Sequence, residues 1–122
     1  MTDETRSVRE SPIACDMSAI EPGLRAGHVA TGGRLFRAAE EIRELPDGYA
    51  FRLPNESETL REAAEFISLE RLCCPFLGFA LDVEPENGPV WLRLTGREGV
   101  KAFIREEVSE LLGGAIDWAG IK

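Results

Sequence analysis

Residues 45–67 read LPDGYAFRLPNESETLREAAEFI, and this stretch decides the fold. Asp47-Gly48, preceded by Pro46, is a tight-turn signal between two apolar runs, Leu35 to Leu45 and Tyr49 to Leu53. In the second run Tyr49, Phe51 and Leu53 alternate with Ala50 and Arg52, so one face of a strand is apolar. Asn55 then stands where a helix cap belongs, with Glu58 three residues on in the manner of a capping box. Leu60, Ala63, Ala64 and Ile67 follow at helical spacing, which predicts a buried stripe. Pro75 disfavours helical torsions at Cys74, so the helix is expected to end near Cys73.

The same grammar returns downstream. Phe79, Leu81 and Val83 alternate with polar or small residues, Asn87-Gly88 supplies a turn, and Val90, Leu92 and Leu94 share one face. Thr95 and Glu98 form a second capping-box pattern before Val100, Phe103, Ile104, Val108, Leu111 and Leu112 at helical spacing, and Gly113 stops that helix. Gly48 and Gly88 are 40 residues apart, as are Asn55 and Thr95. Few side chains match at that offset, so what repeats is architecture. The expected fold class is α+β: a four-stranded, largely antiparallel sheet from two hairpins, each followed by an amphipathic helix packed on one face. A weak N-terminal helix is expected over Pro22 to Thr31, with Leu24, His28 and Thr31 on one stripe and Gly23, Gly27, Gly32 and Gly33 working against it. Trp91 and Arg93 fall on the other sheet face, which can support a homodimer if no helix covers it.

The chain has 122 residues, 43% of them hydrophobic and 30% charged, enough for one core that buries about two thirds of the unfolded surface. The expected organisation is a flexible tail over residues 1 to 12 and a single domain over 13 to 122. Fourteen Lys and Arg face 22 Asp and Glu, a net charge of −8 that argues against nucleic acid or anionic lipid as partners. The opening residues are polar rather than an apolar leader core, and no apolar run spans a membrane. A cytoplasmic location is the expectation. There an odd count of three cysteines points to free thiols, metal ligation or redox chemistry rather than a disulfide framework.

The chemistry concentrates in Leu69-Glu70-Arg71-Leu72-Cys73-Cys74-Pro75-Phe76. On a helix Glu70 projects between Cys73 and Cys74, three and four positions on. Two soft sulfurs beside a carboxylate suit a soft metal or metalloid ion such as Zn, Cd or Hg, with Cys15 as third sulfur if the N-terminal segment folds back. The expected metal-site residues are therefore Cys15, Cys73, Cys74 and Glu70, and the role is sequestration, transfer or sensing. A helix C-terminus and Glu70 both disfavour a thiolate. Arg71 and amides at Phe76 and Leu77 oppose them, and a bound cation reverses the balance.

Three alternatives stand beside that reading. In a thiol–disulfide redox protein Cys15 would pair with Cys73 or Cys74, because a bridge between the adjacent cysteines closes a strained ring. In a non-catalytic domain binding a small thiol-reactive ligand or a protein partner, the cysteines do no chemistry. In the third they are core filler. His28, the only histidine, is expected at the surface or partly packed. The glycines at 23, 27, 32 and 33 match no phosphate loop, so no nucleotide cofactor is expected. Glu40, Glu41 and Glu44 read as a solvated strand edge, and Tyr49, Phe51, Trp91 and Phe103 as core or interface residues.

The lone Cys15, the hairpin from Leu45 to Phe51, the Glu-Arg-x-Cys-Cys-Pro-Phe motif from Glu70 to Phe76 and the Leu92 to Gly96 strand end together resemble a family of small uncharacterised bacterial proteins. The resemblance spans residues 13 to 108. It implies a shared fold and a shared thiol site and names no reaction. A link to heavy-metal handling rests on analogy with vicinal cysteines in mercury-handling proteins.

Overall fold

The computed structural model describes residues 10–114 and 116–122. Residues 1–9 of the expected tail lie outside it. The chain runs through a 3-10 turn at Met17–Ala19, α1 at Pro22–Arg37, β1 at Glu41–Leu45, β2 at Gly48–Leu53, α2 at Ser57–Cys73, β3 at Gly78–Val83, β4 at Val90–Thr95, α3 at Val100–Leu112 and a 3-10 turn at Trp118–Gly120. The four strands form one antiparallel sheet in the order β1-β2-β4-β3, the α+β architecture of two hairpins that the alternation predicts. Among the described residues no helix is long and apolar enough to cross a membrane.

The first hairpin turns on Pro46 and Asp47, with Leu45 opposite Gly48. Glycine is required there because a Cβ at position 48 would sit 1.9 Å from the Leu94 carbonyl oxygen of the next strand. The second hairpin departs from expectation. Its turn residues are Glu86 and Asn87, both with positive φ, and Gly88 donates back to the Pro85 carbonyl at 3.0 Å.

Tyr49, Phe51 and Leu53 with Val90, Leu92 and Leu94 make the buried face of the two central strands. Phe36 of α1, Phe66 of α2 and Ile104 and Val108 of α3 join them in one core. On the other face Trp91 is buried beneath Arg43, whose guanidinium lies 4.6 Å from the ring centroid, and Arg93 pairs with Asp82 at 3.0 Å. The acidic edge of β1 is solvated as expected, with Glu44 bonded to Lys101 and Glu41 to Arg43.

Three helix expectations are corrected. First, α1 runs on through Gly32 and Gly33 to Arg37, so β1 begins at Glu41 rather than near Leu35. A Cβ at Gly32 would meet the Phe66 ring at 3.0 Å and Leu111 at 3.2 Å, so the residue that weakens the isolated helix lets it pack closely on α2 and α3. Second, neither capping box forms. The Asn55 amide donates instead to the Gly88 carbonyl at 3.0 Å, tying the two hairpin units together, and α3 starts from Gly99 in a left-handed conformation. Third, the buried stripe of α2 is Thr59, Ala63, Phe66, Glu70 and Cys73, rotated so that Ala64 faces outward and Glu70 inward.

Candidate functional site

Cys73 is the last residue of α2, and Cys74 leaves the helix with φ −130° and ψ 68°. Neighbours on a helix diverge by about 100°, but this break swings the second thiol beside the first. The sulfurs lie 3.7 Å apart. Glu70 serves both, its Oε1 3.6 Å from Cys73 Sγ and its Oε2 3.5 Å from Cys74 Sγ. The turn after Pro75 aims no amide from Leu77 at sulfur, because that amide bonds the Cys74 carbonyl at 3.0 Å.

Cys15 arrives on the segment before the first 3-10 turn. The Asp16 amide donates to the Cys73 carbonyl at 2.9 Å, while the Asp16 side chain accepts from the Ser18 amide. Downstream, Arg25 holds the carbonyl of buried Ile20 at 2.9 Å. These ties place the Cys15 sulfur within 4.8 Å of both others; Cys73 and Cys74 are fully buried and Cys15 is exposed.

Two groups that the sequence reading left out complete the site. His28 is not a surface histidine: it is buried in α1, stacks on Phe66 with centroids 5.1 Å apart, and places Nε2 2.7 Å from Glu70 Oε1. A second group of potential metal ligands joins His28, Glu70 and Cys73. Glu107 of α3 forms another with Glu70 and Cys74. A signal for Glu107 existed, since it lies three residues after Ile104 and four before Leu111, on an apolar stripe. For His28 the signal was only its place on the α1 stripe with Leu24 and Thr31, because its approach to Glu70 depends on how α1 crosses α2.

The electrostatics overturn the expectation of a disfavoured thiolate at Cys73 and uphold it at Cys74 and Cys15. The Cys74 thiol donates to Cys73 and outweighs the cost of burial, and His28 adds to it, holding Cys73 down to about 6. Cys74 is pushed up, first by that donation and then by burial and Glu70. Burial opposes charge on His28, yet the neighbouring Cys73 sulfur and Glu70 carboxylate prevail and raise it to about 9. Burial likewise works against the Glu70 carboxylate, but His28 and Glu107 hold it below the usual range. Glu107 rises to about 10 through burial and the neighbouring Glu70 carboxylate. Cys15 rises to about 12 through burial and Cys73. At neutral pH the site thus holds a thiolate, an imidazolium and a carboxylate, ringed by protonated Cys15, Cys74 and Glu107. The charge that stabilises the thiolate comes from His28 rather than from exposed Arg71.

The geometry is not that of a nucleophilic triad. A relay needs the two imidazole nitrogens on different partners, whereas Nε2 bonds Glu70 and buried Nδ1 has no hydrogen-bond partner. What the site does offer is three convergent sulfurs with two carboxyls and a histidine behind them. Comparison with protein-family models, with curated proteins and with solved structures finds no match to this chain.

Proposed function

We propose that the protein binds a thiophilic metal or metalloid ion through Cys15, Cys73 and Cys74, and serves to sequester, transfer or sense it. One observation carries this reading: three sulfurs from two separate segments lie within 4.8 Å of one another. Two thiolates on a tetrahedral ion with bonds of about 2.3 Å would be about 3.8 Å apart, close to the 3.7 Å between Cys73 and Cys74. Glu70 and His28 form a charge-matched pair behind the sulfurs, so a soft three-coordinate ion such as Cd(II) or Hg(II) needs no further protein ligand. Zn(II) would recruit Glu70 as a fourth.

The proximity of Cys15 to Cys73 also favours a thiol–disulfide reading. Accessibility argues against it. An oxidant from solvent meets Cys15, which is held protonated, while the activated thiol of Cys73 is sealed. A metal ion also reaches the buried pair only by way of Cys15, but it needs no thiolate at that first contact, because it displaces the proton of each thiol it engages.

The test is titration of the reduced chain with Cd(II), followed by the sulfur-to-metal absorption band. One ion per chain is expected, with the band lost in the double variant Cys73→Ser, Cys74→Ser. Unchanged uptake by that variant overturns the proposal.

A further inference from the structure

A bare ion on three sulfurs needs little room, yet a cavity of about 360 Å³ opens beside Cys15, between α1, α2, α3 and the Cys15 segment, with Glu70, the neighbour of both buried thiols, in its wall. That volume is within the range of small organic ligands. Met17, Val29, Phe66 and Leu111 line it with apolar side chains, and Cys15 and Glu107 with polar ones. Its charges disfavour an anion, since Glu70 is matched by His28 and Glu107 is protonated. Glu70, Glu107 and Glu110 line it, and the one lining residue able to carry positive charge, His28, is already paired with Glu70 at 2.7 Å. An anionic ligand would meet carboxyls with no free base to receive it.

We infer that the ion taken up carries a small apolar organic group, so the substrate class is an organometal or organometalloid cation, its metal on the sulfurs and its organic group against Val29, Phe66 and Leu111. This rests on the thiol site proposed above. The exchange is simple: a thiolate sulfur donates its electron pair to the metal, the ion's previous ligand leaves with its own pair, and each protonated thiol engaged releases one proton. The carbon–metal bond is untouched.

The probes are methylmercuric and phenylmercuric chloride, each competed from the reduced full chain with free cysteine, so that their intrinsic thiol affinities cancel. Phenylmercury is expected to be retained about tenfold more strongly than methylmercury, because its ring leaves water for the cavity. Val29→Trp fills the mouth from an exposed position of α1, 48% accessible. It should abolish the phenyl preference, phenylmercury retention falling to that of methylmercury. Equal retention of the two compounds by the unaltered chain, or a preference that survives Val29→Trp, overturns the inference. Mercuric chloride separates the two levels. If the native chain holds Hg(II) through Cys73 and Cys74 without a phenyl preference, only the organic group is refuted. If the double Ser variant holds Hg(II) as well as the native chain, the thiol site itself is refuted.

Discussion

His28 Nε2 and Glu70 Oε1 lie 2.7 Å apart, with both side chains only 4% exposed. The pair joins α1 to α2 directly behind the thiols; its histidine adds to the Cys74 hydrogen bond that holds the Cys73 thiol down, while Glu70 opposes it. Phe66 stacks on the imidazole with its ring tilted by 15°, fixing the histidine from its face while Glu70 fixes its edge.

Removing one partner therefore does more than delete a contact. His28→Ala leaves the Glu70 carboxylate buried without its counter-ion and is expected to cost about 3–5 kcal/mol. Replacing both residues with leucine should recover most of that loss, since neither charge is then stranded. Urea denaturation of the two variants reads this directly. A single variant as stable as the native chain would refute the pairing.

Glu107 sets the pH dependence of stability. Its folded value, about 10, lies above the ordinary 4.5, so its contribution is complete below about 4.5 and is lost as pH rises toward 10. Cys73, lowered from 9.0 to about 6, contributes fully above 9 and loses that contribution as pH falls through 6. His28, raised from 6.5 to about 9, contributes fully below 6.5 and loses it as pH rises through 9. Between 6.5 and 9 the last two slopes cancel, because folding merely moves a proton from thiol to imidazole. Stability should thus fall from pH 6.5 to 9, and Glu107→Gln should flatten the curve. Denaturation midpoints across that window give the answer; an equal slope in native and variant chains would assign the proton elsewhere.

The sheet was legible because it obeys local rules. Alternation at Tyr49, Phe51 and Leu53 and the turn signal at Asp47-Gly48 specify a hairpin without reference to the rest of the chain. The thiol pair with Glu70 was legible for the same reason, since spacings of three and four residues are fixed by the helix. His28 and Glu107 were not, because they reach the site through the packing of α1 and α3. Propensity misjudged α1 itself: Gly32 and Gly33 count against a helix in isolation, while the gain from close packing on Phe66 and Leu111 appears only once three helices are assembled. The capping boxes failed by the same kind of override, the Asn55 amide being claimed by Gly88 from 33 residues away.

Gly48 offers a test of the hairpin register. Gly48→Ala would drive a Cβ against the Leu94 carbonyl at 1.9 Å, and backbone cannot yield as a flexible side chain does. A loss of at least about 2 kcal/mol is expected, with Gly27→Ala, whose Cβ meets nothing within 4 Å inside α1, as the control that is slightly stabilising. Equal stability of the two variants would mean that β2 and β4 are not paired as described.

Cys15 should act as the way in to the site, and its chemistry allows that to be measured. It is the exposed thiol of the three, but it is held protonated, while the thiolate of Cys73 is sealed beneath it. A maleimide at pH 7 should label the native chain slowly and at Cys15 first, with Cys73 and Cys74 following only in denaturant. Cys15→Ser removes one sulfur donor and should weaken Cd(II) binding without abolishing it, because Cys73 and Cys74 keep their 3.7 Å spacing. Bound Cd(II) should in turn protect all three thiols. Peptide mapping of the labelled protein distinguishes these states. Rapid labelling of Cys73 ahead of Cys15 would show that the N-terminal segment does not cover the site, and the order of ligand engagement would then run from the buried pair outward.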